Sequence, residues 1–140
     1  MNQFEIKNTD ALIVVETACI DGSTFKRGSL QRLHFEDINM AGSKIINANL
    51  SDLEIEGAQL GGAYLHNIGM PPEGHPYYER NAKQRPLLLE DCNFENSEIR
   101  NCNFSGVALS GCELRGMTID GMLVDELIRY YHTNRKDSGS

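Results

Sequence analysis

The chain contains no tryptophan, only 7% aromatic residues and no long apolar run. Its longest unbroken apolar stretch extends from Ala11 to Val15, whereas a helix that spans a membrane needs about 20 such residues. The amino-terminal segment MNQFEIKNTD has no apolar stretch followed by a cleavage site, which a signal peptide would require. We therefore expect a soluble, cytoplasmic protein that does not enter a membrane.

The sequence also lacks the motifs of common enzymes and metal sites. It contains no C-x-x-C pair, no G-x-G-x-x-G loop and no G-x-x-x-x-G-K-[ST] loop, and its histidines are scattered without ligand spacing. Its four cysteines are expected to be reduced thiols, because no export signal accompanies them. We predict a non-enzymatic protein without catalytic residues, bound metal or cofactor.

Basic residues are the minority among the charged ones, with 13 Lys and Arg against 20 Asp and Glu and a net charge of −7. This acidic excess argues against direct binding to nucleic acid or to an anionic membrane. It is compatible with a protein partner, which the composition does not identify.

The most informative feature is a period of five residues, at which a large aliphatic or aromatic side chain recurs. Neither a helix of period 3.6 nor a strand of period 2 sustains a period of five. We call these residues the centres, and each centre with its two neighbours on either side a pentad. The centres are Val15, Ile20, Phe25, Leu30, Phe35, Met40, Ile45, Leu50, Ile55, Leu60, Leu65 and Met70, and then Leu89, Phe94, Ile99, Phe104, Leu109, Leu114, Ile119 and Val124.

The other positions of the pentad also have preferences. The residue two places before the centre is usually small, and the residue between them is usually polar. We therefore predict one large and one small side chain pointing inward and a polar one pointing outward. Cys92, Cys102 and Cys112 occupy the small inward position and are expected to be buried, whereas Cys19 is expected to be exposed. The last two positions are often polar or Gly, which suits a tight turn.

This pattern resembles that of the pentapeptide-repeat family, which is approximately Ala-(Asp/Asn)-Leu-X-X. Good matches are the pentads 48–52 (Ala-Asn-Leu-Ser-Asp), 58–62 (Ala-Gln-Leu-Gly-Gly) and 102–106 (Cys-Asn-Phe-Ser-Gly). The resemblance covers about 18–70 and 87–126. It implies an all-β solenoid, a right-handed quadrilateral β-helix with one pentad per side and twenty residues per coil.

In such a helix, residues twenty apart stack at the strand spacing of about 4.8 Å. We therefore predict about 4–5 coils with inward columns of centres, for example Phe25, Ile45 and Leu65. The predicted organisation is a single domain, 1–136, with a short tail expected to be disordered, 137–140. Its parts are an amino-terminal cap or first coil (1–17), a first repeat block (18–70), an inserted loop (71–86), a second repeat block (87–122) and a carboxyl-terminal helix (123–135).

The carboxyl-terminal segment changes its period. Apolar residues at spacings of three and four predict an amphipathic helix. Because the end of a solenoid must be covered, we expect this helix to cap the last coil, or to form the contact of a homodimer. The residues of this face are Val124, Leu127, Ile128 and Tyr131.

The segment 71–86 interrupts the repeat and holds all four prolines of the chain. Proline cannot donate a ladder hydrogen bond, so this segment is predicted to be a loop that leaves the coil. It is a tolerated insertion, a loop that folds over the β-helix and shields one of its faces, or a surface that contacts a partner. The candidate contact residues of the loop are His75, Tyr77, Tyr78, Arg80, Lys83 and Arg85.

The function expected from these features is that of a protein-binding or scaffold protein. The family resemblance implies an alternative, a DNA-mimicking modulator of DNA gyrase related to quinolone protection. A mimic needs a long acidic rod, because duplex DNA carries one negative charge per about 1.7 Å of its axis. The coils expected here would extend only some 22 Å, and basic residues interrupt their acidic faces. The sequence therefore favours the scaffold.

Overall fold

The backbone turns two places after each centre, except after Met70 and Val124. We call the residue at this position the corner residue. In the computed structural model, which describes residues 3–137, all the corner residues have a left-handed φ between +50° and +80°. They are Thr17, Gly22, Arg27, Arg32, Asp37, Gly42, Asn47, Asp52, Gly57, Gly62 and Asn67, and then Asp91, Asn96, Asn101, Gly106, Gly111, Gly116 and Gly121.

The residue types at the corners explain why the chain turns there. A left-handed φ brings Cβ close to the backbone in most L-residues, whereas Gly avoids this contact and Asn and Asp tolerate it. All but three of the corner residues are Gly, Asn or Asp, and the exceptions are Thr17, Arg27 and Arg32. The expected tight turn at the end of each pentad is therefore present in the structure.

Many corners are closed by a backbone hydrogen bond. The Ala63 N–H donates to the Leu60 carbonyl with N and O 2.9 Å apart, and the Val107 N–H donates to the Phe104 carbonyl at 3.0 Å. With a left-handed third residue, these turns have the arrangement of type II turns. Equivalent hydrogen bonds are accepted by the carbonyls of Ile20, Met40, Leu50, Phe94 and Leu114.

Polar side chains next to the centres stabilise these turns. The Oδ1 atom of Asn103 accepts a hydrogen bond from the Ser105 N–H at 2.9 Å, across the centre Phe104. Asn93 makes the same bond to the Glu95 N–H at 2.8 Å, and Asn49 to the Ser51 N–H at 3.1 Å. Asn and Asp side chains commonly bind their own backbone two residues on. The two neighbours of a centre therefore lie together on one side of the chain, as expected for the outward position.

The inward columns of the predicted core are not enclosed in this structure. Phe25, Ile45 and Leu65 are 57%, 63% and 77% exposed, and the three cysteines at inward positions are exposed, like Cys19. The reason is the range of the hydrogen bonds. In the described part of the chain, the backbone bonds outside the helix and the hairpin close turns of four residues, except the bond from the Val124 N–H to the Met117 carbonyl at the base of the hairpin. No backbone ladder there joins residues twenty apart, so nothing covers the centres from above or below.

The total accessible surface is large for a chain of this mass. The chain exposes 15601 Å², whereas a compact monomer of its mass, 15.6 kDa, would expose about 7,200 Å². Among the described residues, Val124 is the only buried hydrophobic one, with 8% exposure. The corners are thus formed locally, while the apolar side of the repeats remains uncovered.

Regular secondary structure is confined to the carboxyl-terminal part of the described chain. The strands β1 (Thr118–Ile119) and β2 (Met122–Leu123) pair antiparallel, and helix α1 (Val124–Asp137) follows directly. Asp120 and Gly121 join the strands with φ values of 48° and 80°, the two left-handed residues of a type I′ hairpin turn. The expected all-β content is therefore limited to this hairpin, because residues 3–117 form turns and bends without strands.

The chain divides into two units, Met1–Ala63 and Tyr64–Ser140. Corner residues at five-residue spacing occur in both. Helix α1 occupies the place of the helix expected over 123–135 and ends at Asp137. Of the tail expected over 137–140, residues 138–140 lie outside the described residues. The single-domain organisation stays a prediction.

Two adjacent glycines provide a test of the corner conformation. Gly62 is a corner residue with a φ of +76°, Gly61 has no left-handed φ, and a Cβ added at either would have no atom within 4 Å. Gly62→Ala should therefore lower the free energy of unfolding by about 1–2 kcal/mol, whereas Gly61→Ala should be neutral or raise it by up to about 1 kcal/mol. Urea unfolding of both variants checks this, and equal effects would contradict a left-handed requirement at Gly62.

Candidate interaction surfaces

The inserted segment 71–86 folds into successive turns rather than continuing the pentads. The His75 N–H donates to the Pro72 carbonyl at 3.1 Å, the Tyr78 N–H donates to the His75 carbonyl at 2.9 Å, and the Ala82 N–H donates to the Glu79 carbonyl at 3.1 Å. Prolines at both ends of the segment exclude a ladder hydrogen bond there. The segment is thus a loop with a defined local backbone.

Aromatic side chains gather at the first turns of this loop. The rings of His75 and Tyr77 lie 5.8 Å apart and are tilted by 45°, and the Tyr77 N–H donates to Nδ1 of His75 at 3.2 Å. Tyr77 is 81% exposed and Tyr78 is 38% exposed. The structure therefore brings two of the six candidate loop residues into ring contact and leaves Tyr77 open to a partner.

The basic residues of the loop follow the aromatic ones. Arg80 belongs to the turn that begins at Glu79, and Lys83 and Arg85 lie in the irregular stretch that leads to the second repeat block. All three are exposed. An exposed tyrosine followed by exposed cations is a composition found at protein interfaces, where Tyr and Arg are enriched.

The four residues on the expected apolar face of helix α1 differ in how far they are exposed to solvent. Val124 is buried at 8% exposure, and its N–H donates to the Met117 carbonyl at 3.0 Å. Leu127, Ile128 and Tyr131 are 39%, 42% and 57% exposed. Only the first residue of the face is therefore covered by the hairpin and helix, and the other three remain available to a coil or to another subunit.

Charged and polar side chains contribute contacts near both ends of α1. Asp125 and Glu126 lie in its first turn, where acidic residues favour the helix dipole. The guanidinium of Arg135 donates to the Tyr131 hydroxyl at 3.2 Å and lies 5.8 Å from the centre of that ring. Tyr131 is therefore held in place while it stays exposed.

A shallow groove joins the hairpin to α1. It is lined by apolar residues of β2 and the helix, including Met122, Leu127 and Tyr130, together with Glu126. Its position beside the helix face predicted as a cap or dimer contact extends that surface onto the hairpin. The homodimer stays a prediction.

The surface chemistry outside these places consists of exposed polar pairs. Arg100 Nε lies 3.5 Å from Glu98 Oε1, and Arg115 Nη2 lies 3.2 Å from Glu113 Oε2, each pair across a centre. Exposed pairs of this kind contribute little to stability. In residues 3–137 no group of three or more His, Cys, Asp or Glu side chains is arranged to hold a metal ion, and no helix there is long and apolar enough to cross a membrane.

Two features of this region were not predicted from the sequence. One is the hairpin, whose Asp120-Gly121 turn could have been recognised as a type I′ signal. The other is the repeated hydrogen bond of the inward cysteines, in which Sγ of Cys92, Cys102 and Cys112 donates to the carbonyl two residues earlier. Its ten-residue spacing is visible in the sequence as Cys-Asn-Phe at 92–94 and 102–104.

The second repeat block matches a known protein family. A family model described as pentapeptide repeats (8 copies) matches residues 88–118. No curated protein and no solved structure matches the chain. The match lies within the predicted second block, 87–122, and confirms the resemblance to the pentapeptide-repeat family. Proteins of this family are generally non-enzymatic, and their repeats imply a β-helix solenoid.

The burial of Val124 predicts which valine of the second unit contributes most to stability. Val124→Ala removes two methyl-sized groups from a covered site and should lower the free energy of unfolding by about 1–2 kcal/mol. Val107 is 54% exposed, so the matched variant Val107→Ala should change it by less than about 0.5 kcal/mol. Thermal or urea unfolding measures both, and a larger effect at Val107 would contradict this assignment.

Proposed function

We propose that this pentapeptide-repeat protein is a non-enzymatic scaffold that binds another protein, and that the loop 71–86 is part of its binding surface. The observation that carries the proposal is the loop's exposed aromatic and basic composition, which differs from the repeats on both sides of it. Tyr77 is 81% exposed although its backbone is held by His75. An anchor held in this way loses little conformational entropy when a partner covers it.

The scaffold itself is proposed to be a right-handed quadrilateral β-helix. Its support is the left-handed corner residue at every fifth position, together with the family match over 88–118. Four equivalent corners in twenty residues can return the chain to its starting side, one strand spacing of about 4.8 Å farther along. Closing the coils would cover the exposed centres and supply the hydrophobic stabilisation that the turns alone lack.

The binding surface can be tested with two His–Tyr ring pairs of the same spacing. Tyr77→Ala removes the exposed ring beside His75, and Tyr64→Ala removes a 77% exposed ring that stacks on His66 at 4.3 Å. In pull-downs from cell extract, Tyr77→Ala combined with Arg80→Ala and Lys83→Ala should lose proteins captured by the wild type. Tyr64→Ala should retain them. If the triple variant retains every captured protein, the loop is not the binding surface.

The native cysteines provide a test of coil closure. In a coil of twenty residues, Cys92 and Cys112 would be neighbours in one column, about 5 Å apart, while Cys102 would lie on another side. In a Cys19→Ser background, the Cys102→Ser variant keeps only Cys92 and Cys112. A thiol reagent about as long as the strand spacing should link these two cysteines within one chain. In the same background, the Cys92→Ser and Cys112→Ser variants each keep two cysteines ten residues apart, and these pairs should not be cross-linked.

Intact mass and peptide mapping identify the linked residues in each variant. Equal cross-linking in all three variants, or cross-linking only of pairs ten residues apart, would contradict a coil of twenty residues. Because these cysteines lie outside the loop, this result is independent of the binding experiment.

The alternative function, a DNA-mimicking modulator of DNA gyrase, stays a prediction from the family resemblance. The contacts described for this chain favour the protein-binding scaffold, because the loop offers a surface with its own chemistry.

A further inference from the structure

Two consecutive corners of the first unit carry arginine. Arg27 has a φ of 54° and Arg32 a φ of 59°, in a position where nearly all the other corners carry Gly, Asn or Asp. A left-handed φ is unfavourable for a long side chain with a Cβ. Strained backbone positions of this kind point to a role other than folding.

The side chains of these arginines have no partner among residues 3–137. In the described residues, neither Arg27 nor Arg32, nor their neighbour Lys26, makes an ion pair or a side-chain hydrogen bond, and all three are exposed. Arg100 and Arg115 differ, since each is paired with a glutamate two residues before it. The corner arginines therefore keep their charges and donors available.

The sequence around them has no acidic residue. Residues 22–35 contain Lys26, Arg27 and Arg32 but no Asp or Glu, although the whole chain has 20 acidic residues in 140. Ser23, Thr24, Ser29 and Gln31 add uncharged donors to the same segment. The segment 22–35 is thus a cationic, donor-rich stretch on a protein whose net charge is −7.

We propose that the segment 22–35 binds a short acidic stretch of a partner polypeptide, with Arg27 and Arg32 as its principal contacts. Guanidinium groups bind carboxylates in a planar, bidentate manner, which ammonium groups do not. Two arginines on successive corners, with Lys26 next to the first, offer three cations to a short run of carboxylates.

A polypeptide fits this segment better than a nucleic acid. Only three cations are available, and the acidic residues of the remaining chain would repel a long polyanion. A short acidic stretch can satisfy the three cations without crossing the acidic surface. This inference does not depend on the loop 71–86, which lies in the other unit.

The test uses two double variants of the full chain that change its charge equally. Arg27→Asn with Arg32→Asn removes the unpaired arginines and places a residue that tolerates the left-handed φ at each corner. Arg100→Asn with Arg115→Asn removes two paired arginines. Binding of a fluorescent decaglutamate peptide and of a single-stranded oligonucleotide is measured by anisotropy at low and at physiological salt.

We expect the corner variant to bind the peptide about tenfold more weakly than the wild type, and the control variant to bind it nearly unchanged. We also expect the corner variant to unfold at the same urea concentration or a higher one, because Asn suits the corner. That result separates a binding role from a structural one.

Several outcomes would overturn the proposal. One is an equal loss in both double variants, which would indicate a general charge effect. Another is an earlier urea midpoint for the corner variant, which would make the arginines structural. Tighter binding of the oligonucleotide would assign the segment to nucleic acid. A concentration-dependent mass in sedimentation that the corner variant abolishes would make the occupant a second copy of this chain.

Discussion

The structure depends on one backbone constraint, a left-handed residue at every fifth position. A chain of L-residues adopts this conformation readily only at Gly, Asn and Asp, and the sequence supplies these residues in phase with its centres. The side chains of Asn49, Asn93 and Asn103 support the same turns from the position before the centre. Corner residue, side-chain acceptor and apolar centre thus form one unit of five residues.

The sequence predicts the features that depend on contacts between near neighbours in the chain, and it does not predict those that join distant residues. The turn after Leu60 involves four residues, so the sequence alone indicates it, and the structure contains its hydrogen bond at 2.9 Å. The helix over 123–135 was also predictable from apolar spacing, and α1 occupies Val124–Asp137. The column of Phe25 and Ile45 involves residues twenty apart. These two side chains are 57% and 63% exposed, so local turn formation does not bury them. Bringing them together costs loop-closure entropy before any burial is gained.

The candidate surfaces follow the same division. The loop 71–86 could be predicted because its prolines break the period, and its turns are local. The contact between His75 and Tyr77 depends on the turn geometry and was not predictable from composition. The corner arginines were visible in the sequence only as interruptions of acidity. Their significance required the backbone angles, which show that they occupy positions suited to smaller residues.

We propose that the pentads wind into a closed coil that covers their centres. Solution X-ray scattering of the full chain tests this most directly, because it reports both mass and radius of gyration. At the mass of a monomer, a closed coil predicts a radius of gyration of about 14 Å for 140 residues. A monomer with a radius near 39 Å, the value of an unfolded chain of this length, would contradict the claim.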